Sequence, residues 1–186
     1  MSSNVLLPGS YHIQSVKTGR FIARAHPEDL SPLPKPVYHL PAGEKPAQIW
    51  IVENATSKNS NGFYILRNGG NPIGRDNELV YAIISEGDGL QPEMWKVSCQ
   101  EQSKPDEFVF VFHPTVILRQ HNDSGYRILS LESEDCRNVW AVPEHSEEHG
   151  QVFMLPVPTP DNASRYPPAP SSAQVFKFIP VQGEGY

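Results

Sequence analysis

The chain has 186 residues, 38 % of them hydrophobic and 19 % charged, with a net charge of −6 at pH 7. That length suits one domain, and the acidic balance argues against a nucleic-acid partner, which calls for a basic face. The 19 prolines and 13 glycines cut the chain into segments too short for a helical bundle, and no apolar run approaches the ~18 residues of a membrane-spanning helix.

Residues 1–9 carry no basic start and no long apolar stretch, so they do not read as a secretory signal and the expected location is cytoplasmic. On that expectation the sequons at Asn54, Asn122 and Asn162 reflect loop composition rather than glycosylation. Residues 11–16 alternate apolar with polar side chains, meet the turn Lys17-Thr18-Gly19-Arg20, and continue as Phe21-Ile22-Ala23. This is a hairpin pattern. Similar short runs follow at 37–40, 49–53, 63–66, 80–84, 94–97, 126–131, 139–142, 152–157 and 175–181, which predicts an all-β sandwich or barrel.

Self-comparison favours a barrel. Tyr11-His12-Ile13-Gln14-Ser15-Val16 matches Tyr126-Arg127-Ile128-Leu129-Ser130-Leu131, and Phe63-Tyr64-Ile65-Leu66 opens a middle copy. Each copy ends on a polar residue followed two positions later by an aromatic: Gln48-Ile49-Trp50, Glu93-Met94-Trp95, Gln174-Val175-Phe176. Three four-stranded units give the twelve strands of a β-trefoil, in which each unit leaves its apolar face incomplete until three close together. The expected layout is a single domain over 1–186, with units at about 8–54, 62–102 and 125–181. Phe108-Val109-Phe110-Val111-Phe112 and Val116-Ile117-Leu118 fall outside this layout. They read as an inserted hairpin near 108–118 or as a competitor for the ninth strand, and such an apolar ribbon has to be covered, by the barrel or by a second copy. A monomer is the expected state.

Motifs for enzymes are missing: no GxSxG, P-loop, HExxH or paired CxxC occurs, so no catalytic residue and no cofactor is expected. Cys99 and Cys136 read as buried thiols. Glu144-His145-Ser146-Glu147-Glu148-His149 places two histidines at i and i+4, a spacing that grips a cation on a helix. Pro143 and Gly150 leave room for a single turn, which favours a solvated acidic turn and no metal.

Three loops stand out. Residues 26–36, His-Pro-Glu-Asp-Leu-Ser-Pro-Leu-Pro-Lys-Pro, hold four prolines in eleven positions, and proline fixes φ and extends its predecessor. Composition leaves open whether this stiffness serves stability or preorganises a substrate-like loop for a protease cleft. Residues 159–173 form a Pro/Ser/Ala-rich stretch around Arg165-Tyr166, either a flexible insertion or a presenter of Arg165 to a trypsin-like pocket. Arg67-Asn68-Gly69-Gly70-Asn71-Pro72 reads as a turn, with Gly and Asn supplying positive φ.

The segments 7–13, 28–35 and 49–53, beginning Leu7-Pro8-Gly9-Ser10-Tyr11, together resemble the mushroom β-trefoil inhibitors of serine proteases, the mycospins. Residues 151–158, Gln-Val-Phe-Met-Leu-Pro-Val-Pro, are similar to the cysteine-protease-inhibiting mycocypins. The resemblance implies a cytoplasmic fungal inhibitor, for defence or control of endogenous proteolysis, whose partner is a serine protease. It implies a reactive loop between the second and third strands, here Arg24-Ala25-His26 onward to Leu30-Ser31, or between the last two strands, here Arg165-Tyr166. The mycocypin likeness implies an asparagine against asparaginyl endopeptidases, here Asn68 or Asn71. The glycines that mycocypins use against papain-like enzymes find no match.

Chemistry ranks the bonds. Proline after a residue removes the N–H and alters the leaving amine, which demotes His26, Ser31, Leu33 and Lys35. Arg24-Ala25 and Arg165-Tyr166 suit a trypsin-like enzyme, and Leu30-Ser31 suits a chymotrypsin- or subtilisin-like one. The reading is therefore a non-enzymatic protease inhibitor, trypsin-like targets first. Its rivals are an inhibitor of cysteine or asparaginyl proteases and a ricin-B-like lectin. For the lectin only Gln48-Ile49-Trp50 fits in full, and no repeated Asp–aromatic pair occurs.

Overall fold

In a computed structural model, residues 6–55, 63–85, 87, 89–99, 101–104, 107–109, 125–130, 138–143, 149–156 and 172–181 are described. Alternation along the strands turns one side chain in two inward: Tyr11, Ile13 and Ser15 from β1 (Gly9–Ser15), then Trp50 and Val52 from β4 (Trp50–Asn54), then Tyr64, Leu66 and Asn68 from β5 (Phe63–Asn68). The remaining strands are β2 (Phe21–Arg24), β3 (Lys35–His39), β6 (Asn71–Asp76), β7 (Leu79–Ala82), β8 (Met94–Cys99), β9 (Glu101–Lys104), β10 (Glu107–Val109), β11 (Gly125–Ser130), β12 (Asn138–Ala141), β13 (Gly150–Gln151), β14 (Phe153–Pro156) and β15 (Phe176–Pro180). A 3-10 turn, Ser172–Gln174, precedes β15.

The pairing closes. β1 lies beside β4, β4 beside β5, β5 beside β8, β8 beside β11, β11 beside β15, and β15 returns to β1, all antiparallel. Outside this barrel sit the antiparallel pairs β2–β3, β6–β7 and β12–β14. They join one another through β3–β7 and β7–β14, and Val152 N donates to Val37 O at 2.8 Å while Val80 N donates to Val152 O at 3.1 Å.

Register places the residues matched in the sequence opposite one another. Tyr11 faces Trp50, Tyr64 faces Trp95, and Tyr126 faces Phe176. Where one copy meets the next, Trp50 faces Asn68, Trp95 faces Ser130, and Phe176 faces Ser15. The core follows the same plan. Trp50 Nε1 donates to Ile22 O at 2.6 Å and Trp95 Nε1 to Ile73 O at 3.4 Å. At the start of β15 a phenylalanine, Phe176, with no N–H to give, packs edge-on against Trp140 at 6.3 Å. Trp140 also meets Trp50 at 5.8 Å and Trp95 at 5.2 Å, so one indole joins aromatic residues of β4, β8 and β15.

Two departures from the sequence expectations have physical causes. β6 was hidden because Pro72 and Gly74 interrupt its alternation. Gly74 is there for space: a Cβ on it lies 2.4 Å from Gln91 O and 2.9 Å from Ile83 Cδ1. The extra hairpin begins earlier than expected, with β9 against β10 and a register shift between Glu107 and Phe108. Residues 110–118 lie outside the described residues, while β11 holds its place between β8 and β15.

Candidate functional site

β2 ends at Arg24 and β3 begins at Lys35, with Ala23 opposite Tyr38 and Arg24 opposite Val37. Between them the proline-rich segment arches outward. Its apex is Leu30, at 103 % of its reference exposure, and Leu33 follows at 61 %. The flanks are tied. Ser31 N donates to Asp29 Oδ1 at 2.8 Å, a short-range turn around Leu30. Lys35 Nζ donates to Asp29 Oδ1 at 2.6 Å and to Ser31 Oγ at 2.8 Å. Ser85 Oγ reaches across to Pro32 O at 3.2 Å.

Hydrogen bonds from Lys35 and Ser31 hold the Asp29 carboxyl well below the usual carboxylate range, so the tie carries its full charge at neutral pH. A cavity of about 200 Å³ lies beside the arch, lined by Ala25, Pro27, Glu28, Asp29 and Lys35 among others. Polar ties from Lys35, Ser31 and Ser85 hold the segment.

The other predicted contacts fall elsewhere. Arg24 is 8 % exposed and cannot reach into a cleft. Its Nε lies 3.0 Å from Glu28 Oε1, an ion pair that falls short of hydrogen-bond alignment, and its Nη2 lies close against Gly69. Arg24 braces the base of the loop. Ala25 is half-buried and His26 exposed just beyond it.

Asn68 is fully buried, which removes it as a contact for an asparaginyl endopeptidase. It faces Trp50 in the barrel, accepts from Arg24 N at 3.2 Å and donates to Ile49 O at 3.4 Å. Its register position opposite Trp50 matches those of Ser15 opposite Phe176 and Ser130 opposite Trp95. The turn expected at 67–72 is tight: Gly69 and Gly70, with φ of 57° and 82°, close Asn68 onto Asn71. Asn71 is half-buried and its amide donates to Gly69 O at 3.2 Å.

Arg165 and Tyr166 lie outside the described residues, as do Cys136 and 144–148. His149 is described, with Nε2 3.5 Å from Glu44 Oε2 and its ring edge-on to Tyr38 at 5.5 Å. Among the described residues no cluster of three or more His, Cys, Asp or Glu side chains is placed to hold a metal ion.

Sequence reasoning passed over Asp29, Lys35 and Ser85. Asp29-Leu30-Ser31 has the spacing of a side-chain-capped turn and was a usable signal, whereas the reach of Lys35 and Ser85 depends on how the strands pair.

The sequence pattern of the family described as peptidase inhibitor I66 matches residues 4–180. No curated protein matches the chain in sequence. Among solved structures, a proteinase inhibitor from Coprinopsis cinerea is similar, at 25 % identity and a TM-score of 0.67, covering 95 % of this chain and 99 % of the other. A salivary protein from Culex quiquefasciatus, of the cysteine- and tryptophan-rich family, superposes with a TM-score of 0.54 at 12 % identity, covering 97 % and 99 %. The Rhizoctonia solani agglutinin does so with a TM-score of 0.52 at 14 % identity, covering 95 % and 97 %. These last two likenesses are of fold alone. The family match spans nearly the whole chain, so the protein is a fungal-type peptidase inhibitor rather than an enzyme, its partner is a protease, and it belongs to the peptidase inhibitor I66 family.

Proposed function

We propose that the chain inhibits serine proteases by presenting the β2–β3 loop to the active site, with Leu30 filling the primary pocket and the Leu30–Ser31 bond at the catalytic serine. The observation that carries this is the full exposure of Leu30 at the apex of a segment tied on both sides. A preorganised loop loses little freedom on binding, so its contact energy is retained as affinity. Around the bond, the serine hydroxyl of the enzyme faces the Leu30 carbonyl and the oxyanion hole receives the oxygen. An apolar residue at the apex favours chymotrypsin- or subtilisin-like enzymes. The burial of Arg24 takes away the trypsin-directed candidate on this loop and leaves Arg165 as the other. The threefold register of Tyr11–Trp50, Tyr64–Trp95 and Tyr126–Phe176 supports a β-trefoil scaffold beneath it.

The test is titration of chymotrypsin, subtilisin and trypsin with the wild type, Leu30→Ala, Leu30→Arg and Arg165→Ala. We expect tight inhibition of chymotrypsin or subtilisin that falls about 100-fold in Leu30→Ala, or ~2.7 kcal/mol, as for a central anchor. Leu30→Arg should turn the protein toward trypsin. Inhibition untouched by Leu30→Ala but lost in Arg165→Ala would move the reactive loop to 159–173.

A further inference from the structure

We propose that Lys35 is a positioning residue that keeps the two ends of the Leu30–Ser31 bond together, so that the loop inhibits instead of being consumed. This rests on the β2–β3 loop being the protease-binding segment. Lys35 opens β3, and its side chain is buried, at 7 % of its reference exposure. From there one ammonium donates to Asp29 Oδ1 at 2.6 Å and to Ser31 Oγ at 2.8 Å. Those residues flank Leu30 on opposite sides of the bond. The only other short tie across it is the Ser31 N–H to Asp29 Oδ1, at 2.8 Å, among the described residues.

The consequence follows from the chemistry of acyl transfer. Attack by the enzyme's serine oxygen on the Leu30 carbonyl breaks the C–N bond, leaves an ester to Leu30, and passes the serine proton to the Ser31 nitrogen through the enzyme's histidine. In an ordinary substrate the new amine then diffuses away and water enters. Here Ser31 Oγ and Asp29 Oδ1 share one cation rooted in a β-strand, so the amine stays beside the ester. Its return re-forms the peptide, gives the proton back and frees the serine. Holding two reactants in place in this way is worth a large effective concentration. A buried lysine suits the task because β3 is paired with both β2 and β7 and does not move with the arch.

Lys35→Met keeps length and volume and leaves no buried charge behind, because Asp29 is 72 % exposed. The experiment incubates wild type, Lys35→Met, Lys35→Arg and Asp29→Asn with catalytic amounts of chymotrypsin and of subtilisin. It follows both residual activity and, by mass spectrometry, cleavage between Leu30 and Ser31. The wild type should inhibit and remain intact. Lys35→Met should be cut at that bond at least ~10-fold faster with inhibition fading over time, and Lys35→Arg should restore persistence.

Asp29→Asn keeps the acceptor for Ser31 N–H but removes the ion pair. It should behave like Lys35→Met, and it decides the matter if Lys35→Met fails to fold. A wild type that inhibits, with both variants as slowly cut as the wild type, would overturn the role of Lys35 and leave the reactive loop standing. A wild type that inhibits neither enzyme would overturn both.

Discussion

His39 sits at the end of β3 with its ring buried, Nε2 2.6 Å from Thr18 Oγ1 and Nδ1 enclosed without a hydrogen-bond partner. Burial, helped by the charge of Arg20, pushes its pKa down from 6.5 to about 4. The folded protein therefore prefers the neutral ring, while the unfolded chain takes up a proton near pH 6.5. The stabilising contribution is complete above that pH, is lost as pH falls from about 6.5 toward about 4, and is flat below. Unfolding followed by denaturant between pH 4 and 7 should show a fall of about 2 to 3 kcal/mol. His39→Phe should flatten this part of the curve. None of it was legible in the sequence, where His39 is one of seven histidines and only strand pairing reveals which one is enclosed. Asn68 teaches the same lesson in reverse. Its place in an Asn-Gly-Gly-Asn turn suggested exposure, but the inward alternation of β5 decided otherwise.

At the scale of elements, the β2–β3 loop was legible because proline writes its effect directly into the backbone. Its apex was legible too, since Leu30 is the apolar loop residue not followed by proline. What the sequence did not convey is how the loop is anchored, because Arg24 comes against Gly69, and Ser85 against Pro32, only once the strands have paired. The β5–β6 turn takes part in that anchoring. Gly69 and Gly70 both have positive φ, yet only Gly69 has a neighbour in the way: a Cβ on it lies 2.8 Å from Arg24 Nη2 and 3.1 Å from Gln48 Cγ. Gly70→Ala should cost about 1 kcal/mol through backbone strain alone and leave inhibition as it was. Gly69→Ala should cost more and also weaken inhibition several-fold, since it displaces the guanidinium that braces the base of the arch. Thermal unfolding and inhibitor titration of the two variants separate these effects.

For the whole molecule, an all-β barrel was legible because short alternating strands with turn signals recur along the chain. The residues matched in the sequence fall opposite one another in register, Tyr11 with Trp50, Tyr64 with Trp95 and Tyr126 with Phe176. The convergence on Trp140 was not, since nothing in the run Val139-Trp140-Ala141 says that its indole meets two other tryptophans and Phe176. Truncating it should therefore be felt by β4, β8 and β15 at once. Trp140→Leu is expected to lower stability by ~3 kcal/mol or more while the denaturant transition remains single. A second, separate transition would mean that parts of the barrel unfold independently.

Closure of the barrel also bears on survival beside a protease. Such enzymes take hold of a substrate as an extended strand, by adding it to an edge of their own. In the barrel each strand already has a partner on both flanks, so its backbone offers no such edge and digestion there must wait for unfolding. An attacking enzyme is thus channelled to what stands clear of the barrel, and the bait is more accessible than the body that carries it.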